Sequence, residues 1–185
     1  MEETSLTLRQ FDDIVGRCRR VFSDKLDDYG ASWRIMRPSS LTDQIFIKAK
    51  RIRTLETLGE ARVAEDIPGE WMAIVNYGII GVIQLGLPMT ETVDLDNDRA
   101  LSLYDQTAAT IRHLLAAKNH DYGEAWRDMR PTSYTDMVLT KIQRTKQIES
   151  HLGETKVSEG IDANYMDMVN YGVFALIKLV IEKND

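Results

Sequence analysis

Apolar residues return every three to four positions along most of this chain, the spacing that lines them up on one face of an α-helix. Leu8, Phe11, Ile14, Val15, Cys18, Val21 and Phe22 form one such stripe, with Ser5 or Thr7 available to cap its start. Leu101, Tyr104, Ala108, Ile111, Leu114 and Leu115 form another. Second helices are expected from about Thr42 to Leu58 and from about Thr135 to Leu152, after Pro38 and Pro131 interrupt the chain. Ser40 or Thr42, and Ser133 or Thr135, would cap them, and Gly59 and Gly153 would stop them. Third helices, Glu70 to Leu85 and Ala163 to Glu182, are apolar on most sides, as central buried helices are. No alternating strand pattern competes, so the fold class is all-α.

The pattern occurs twice. Lys25 to Pro38, which contains Asp28-Tyr29-Gly30 and Trp33-Arg34, returns as Lys118 to Pro131 with Asp121-Tyr122-Gly123 and Trp126-Arg127. The match continues through Thr42-Asp43 and Thr135-Asp136, then Lys48 and Arg51 against Lys141 and Arg144, and ends on Val75-Asn76-Tyr77-Gly78 against Val169-Asn170-Tyr171-Gly172. Roughly 27 of about 61 aligned positions are identical. The expected architecture is two three-helix repeats, residues 1–87 and 100–185, joined by an acidic linker at 88–99 and packed about a pseudo-two-fold axis. Core positions drift between the copies (Ile45 and Val138, Leu55 and Ile148), whereas several charged and polar residues do not. Those unchanged polar residues are candidates for more than filling space. Gly30 and Gly123 suit a left-handed helix end.

Composition narrows the classes. At 185 residues, 43% hydrophobic and 28% charged, the chain is globular. A net charge of −6 argues against broad nucleic-acid binding, which wants a basic surface. Cys18 is the only cysteine, so no internal disulfide forms. The acidic start Met1-Glu2-Glu3-Thr4 lacks the apolar run of a secretory signal, and Ile79 to Leu87 is too short to span a bilayer. A cytoplasmic protein with no membrane partner is expected.

Two sets of residues carry candidate chemistry. The basic set is Arg34, Arg37, Lys48 and Arg51, matched by Arg127, Arg130, Lys141 and Arg144. Arginine forks and mobile lysine charges converging on one pocket suit a nucleotide or another phosphorylated small molecule. The alternative is that they pair with Asp28, Asp43, Glu56 and their counterparts. The oxygen-bearing set is Glu159, Asp167 and Asn170 along the third helix of the second repeat, with Asp167 and Asn170 three apart on one face. A buried carboxylate and amide need satisfying, and Mg²⁺ (or Mn²⁺) bridging to phosphates would do it. In the first repeat Ala73 replaces Asp167, Glu65 and Asn76 remain, and Glu70 at the position of Asn164 is a partial substitute. Otherwise the asparagines would bond across the seam and fix its register. Asp28 and Asp121 would be metal-binding or phosphate-orienting acids, or loop caps; Tyr29 and Tyr122 could stack on a base. Trp33, Trp126 and Cys18 read as core. His113, His120 and His151 lack metal spacing, and no Gly-rich phosphate loop or nucleophile elbow occurs.

At these motifs, Asp-Tyr-Gly-x-x-Trp, Thr-Asp…Lys-x-x-Arg and Glu…Asp-x-x-Asn-Tyr, nearly the whole chain resembles the helical family called nucleotide-modification-associated domain 1, as two copies. It is also similar to the wider all-α nucleoside-triphosphate pyrophosphohydrolases of the MazG and dimeric dUTPase type. That resemblance implies helical bundles, often dimeric, that release pyrophosphate with Mg²⁺ held on acidic helix pairs. It implies catalytic roles for Asp121, Asp167 and Asn170, metal binding by Glu159, Asp167, Asp121 and Asp28, and phosphate binding by Lys141 and Arg144. The second helices here carry Lys and Arg instead of the Glu-x-x-Glu pair of those enzymes. A non-catalytic binding module and a purely structural helical protein are the other classes the residues leave open. A further homo-oligomer is compatible with each.

Overall fold

A computed structural model describes residues 5–59 and 66–183, and Glu65 lies outside them. Six α-helices run in the order α1 (Leu6–Tyr29), α2 (Pro38–Leu58), α3 (Ile67–Leu85), α4 (Asn97–Tyr122), α5 (Pro131–Ser150) and α6 (Ile161–Leu176). No described helix is long and apolar enough to cross a membrane. The starts follow local chemistry. The Ser5 hydroxyl accepts from the Leu8 amide, and the Asp66 and Asp96 carboxylates accept from Gly69 and Arg99.

The second helices begin four residues earlier than expected. Pro38 and Pro131 do not stand outside them; each occupies the first turn, where a missing N–H leaves nothing unsatisfied. That frees Thr42 and Thr135 from capping. Ahead of each proline, Ser32–Ile35 and Ala125–Asp128 form a 3₁₀ turn that the helical periodicity does not announce. Gly30 and Gly123 do have positive φ, at 69° and 60°, but their ψ angles of −166° and −151° are extended and not left-handed helical. Only glycine occupies that region freely. The second repeat also ends differently: α6 stops at Leu176 and a π-helical turn, Ile177–Ile181, replaces its last turns.

α3 and α6 lie together at the centre, flanked by α2 and α5, with α1 and α4 packed on each other and on the central pair. The closest helix pairings across the halves are thus α1 with α4, α2 with α5, and α3 with α6, each helix meeting its own counterpart. This is the signature of an isologous two-fold interface built inside one chain.

The side chains repeat that symmetry. Arg19 grips Asp105 at 2.6 and 2.9 Å, and the counterpart pair Arg112 and Asp12 does the same at 2.7 and 2.9 Å. Thr42 donates to Glu149 at 3.1 Å, and Thr135 donates to Glu56 at 2.7 Å. Arg53 meets Asp136 at 2.6 Å, and Lys146 meets Asp43 at 3.4 Å. The exposed ion pairs contribute only about 0.2–1 kcal/mol each, but they fix register. The seam's centre is apolar and tighter. A Cβ on Gly78 would lie 2.6 Å from Val169, and one on Gly172 would lie 2.9 Å from Val75.

Gly78→Ala is therefore expected to destabilise the protein by about 1–3 kcal/mol through overpacking, measured by urea denaturation. Adding Val169→Ala should recover most of that loss. Equal losses in the single and double variants would show that the contact does not set the helix spacing.

Candidate functional site

The polar residues of the second repeat meet where α4, α5 and α6 come together. Asp167 on α6 is buried, and both its oxygens are engaged: Lys118 from α4 reaches Oδ1 at 2.7 Å and Lys141 from α5 reaches Oδ2 at 2.9 Å. Burial alone would raise the Asp167 carboxyl, but the two ammonium groups outweigh it and hold it below the usual carboxylate range. Lys118 is shifted the other way: desolvation would lower it, and Asp167, helped by Glu159, more than reverses this. Tyr171, one turn beyond Asp167, is raised by burial and by the Asp167 charge. Lys141 and Arg144 line an open groove of about 1130 Å³ together with His151, Lys156, Glu159 and Asn164.

The first repeat builds a different arrangement from nearly the same residues. Glu70 replaces Asn164, and Ala73 replaces Asp167, so the acid has moved one turn towards the helix start. Glu70 is 2% exposed and meets Lys48 at 3.6 Å and Arg51 at 3.1 Å. It neutralises the α2 cations but leaves Lys25, the counterpart of Lys118, with no ion-pair partner among the described residues.

Other candidates are placed elsewhere. Arg34, 3% exposed, donates to Gln84 and the Pro88 carbonyl and lies 2.9 Å from Asp94. Arg127 covers the Trp126 ring and contacts Glu124, Glu182, Thr7 and Gln10. Each clamps its 3₁₀ turn to the chain beyond the third helix, so both arginines are part of the frame. The 88–99 linker is correspondingly anchored at Pro88 and Asp94. Arg37 and Arg130 are exposed at the starts of α2 and α5. Asp28 and Tyr29 are exposed, as is Tyr122. Asp121 is 76% exposed and touches His120.

The two asparagines also part company. Asn76 donates to the Cys18 carbonyl at 3.0 Å and accepts from the Tyr104 hydroxyl of α4 at 2.7 Å, a bond across the seam. The residue corresponding to Tyr104 on α1 is Phe11, which has no hydroxyl, and the buried Oδ1 of Asn170 has no hydrogen-bond partner among the described residues.

Among the described residues no three His, Cys, Asp or Glu side chains are placed to hold a metal ion, so Glu159, Asp167 and Asp121 do not form one cluster. Mg²⁺ wants several oxygen ligands. Asp167 offers one carboxylate already sandwiched between two ammonium groups, a donor set that does not fit a resident Mg²⁺. Lys118 is the site residue that sequence reasoning passed over. Its signal was present, since Lys25 and Lys118 open the repeated motif, but only the fold brings α4 against α6.

Asp167→Asn is expected to destabilise the protein at pH 7 by about 1.5–3 kcal/mol, towards the lower end because Lys118 is 40% exposed. A depressed carboxyl contributes stability that is present above its unfolded value near ~3.9 and fades as pH falls through the lower folded value. The gap between wild type and variant in urea unfolding should therefore hold from pH 7 to about 5 and shrink below about 4. A gap unchanged down to the lowest accessible pH would contradict the pairing.

No curated protein and no solved structure matches the chain. The model of the nucleotide modification associated domain 1 family matches it in two segments, residues 25–85 and 118–179. These two segments contain the Asp-Tyr-Gly turns, the basic second helices and the Asn-Tyr-Gly third helices of both repeats, and the chain belongs to the nucleotide modification associated domain 1 family in tandem duplicate.

Proposed function

We propose that the second repeat binds a nucleotide by its phosphates, in the groove beside Asp167. The observation that carries this reading is that Lys141, Arg144 and Lys156 line one groove, with Lys118 joined to Lys141 through Asp167, in a chain whose net charge is −6. Asp167 holds both lysine side chains in place, so that Lys141 loses little further freedom on binding a phosphate. Arg144 offers a planar fork for a second phosphate. The family's association with nucleotide modification supports a nucleotide over other phosphorylated molecules.

Release of pyrophosphate from a (deoxy)nucleoside triphosphate is the finer form of this proposal, an expectation from the sequence motifs alone. Water would attack the α-phosphorus and the bond to the β-phosphate oxygen would break, with Lys141 and Arg144 neutralising the developing charge. Asn170, whose buried Oδ1 has no partner among the described residues, would accept a hydrogen bond from a water, and Asp121 would approach from the last turn of α4. A divalent cation belongs, in this reading, to the ligand's polyphosphate.

Saturating nucleoside triphosphate with Mg²⁺, at about 100 times its Kd, should stabilise the protein by about 2.7 kcal/mol, read as a rise in Tm of about 5–10 °C. Lys141→Ala with Arg144→Ala should abolish the rise, and Arg20→Ala, an exposed charge on α1, should not. A rise that survives the double substitution would remove the groove as the site. Chromatography of the same samples for pyrophosphate separates turnover from binding.

A further inference from the structure

The first repeat holds a partly open cavity where the second carries larger side chains. A cavity of about 270 Å³ lies between α1, the first 3₁₀ turn and α3, with Phe22, Trp33, Tyr29, Met72 and Tyr77 among its walls and Lys25 at its edge. Two differences between the repeats coincide with it. At the position of Ile80 the second repeat has Phe174, whose ring stacks on Trp126 at 4.3 Å and 6°. At the position of Ala73 it has Asp167, which holds Lys118. With smaller residues at both positions, α3 sets no ring against Trp33, whose aromatic neighbour is Phe22 on α1, and gives Lys25 no counterpart of the Asp167 carboxylate.

The chemistry of the walls selects a ligand. Aromatic side chains favour a flat ring held by stacking and edge contacts. Trp33 and Phe22, 8% and 4% exposed, are the buried part of the wall, and Tyr29, 58% exposed, is its open part. Asn76, also in the wall, is already satisfied by Cys18 and Tyr104. Lys25 is the single charged group among the lining residues, and no carboxylate faces it from them. The volume lies just under the range of about 300–1,000 Å³ usual for small-molecule sites, enough for a nucleoside-sized body. One lysine complements one phosphate and not a polyphosphate chain.

We infer that this cavity is a second ligand site, taking a nucleoside monophosphate with its base against Trp33 and Phe22 and its phosphate on Lys25. It lies on different helices from the groove of the second repeat and stands whether or not that groove takes nucleotide.

The test is calorimetric titration of the intact chain with AMP, GMP, CMP and UMP, and with the parent nucleosides. At least one monophosphate should bind to the wild type. Ile80→Phe installs the residue that the second repeat carries and should abolish binding of both nucleoside and monophosphate. Ala73→Asp, which restores the acid beside Lys25, should weaken the monophosphate, and a thermal melt of each variant checks that it folds. Lys25→Gln should weaken the monophosphate by about tenfold and leave nucleoside affinity unchanged. Arg20→Ala, an exposed charge outside the cavity lining, should change neither. Absence of binding by every monophosphate and nucleoside, or affinity unaltered in folded Ile80→Phe, would overturn the assignment. Loss in Lys141→Ala would transfer the ligand to the groove.

Discussion

Two glycines and two valines govern the spacing of this molecule. Gly78 receives Val169, and Gly172 receives Val75, so α3 and α6 approach until side chain meets backbone. Interiors are packed too densely to absorb even one extra methyl group at such a point without a shift. That spacing fixes where α2 and α5 can lie, and hence whether Thr42 reaches Glu149 and Thr135 reaches Glu56. It equally fixes the distance from α6 to its flanking lysines. The site therefore inherits its geometry from an apolar contact that contains no functional group.

Around that shared frame the two repeats handle one buried negative charge differently. Glu70 and Asp167 stand one helical turn apart in the aligned repeats, and each attracts the cations within its own reach. The longer glutamate side chain serves only the α2 side in the first repeat. The aspartate in the second bridges both sides and takes in Lys118. A one-turn displacement along a helix thus decides which lysine is neutralised and which is left facing a cavity.

Much of the fold was legible before any coordinates. The 3.6-residue periodicity, the punctuation by glycine and the internal repeat are local signals, and they place six helices and their pseudo-symmetry. Pro38 and Pro131 begin helices that the sequence has them interrupt, because proline does both and only the backbone before it distinguishes the two. The candidate site was legible as residue types and less so as roles. Arg34 and Arg127 recur in both repeats, as ligand-binding arginines would, yet each is built into its own frame. A two-fold interface needs its polar contacts twice over, so recurrence marks frame and site alike. Burial and partner identity separate them, and these depend on helices distant in sequence, as with Lys118 and Asp167.

The anchored linker has a consequence of its own. Arg34 fastens Pro88 and Asp94, so the segment entering α4 leaves the first repeat in a set direction. Association of the halves is thereby intramolecular, at an effective concentration that dilution cannot lower. A homodimer of identical chains must carry any substitution on both sides of its axis. Joined in one chain, the halves are released from that copying, and a change harmful in duplicate can be kept singly.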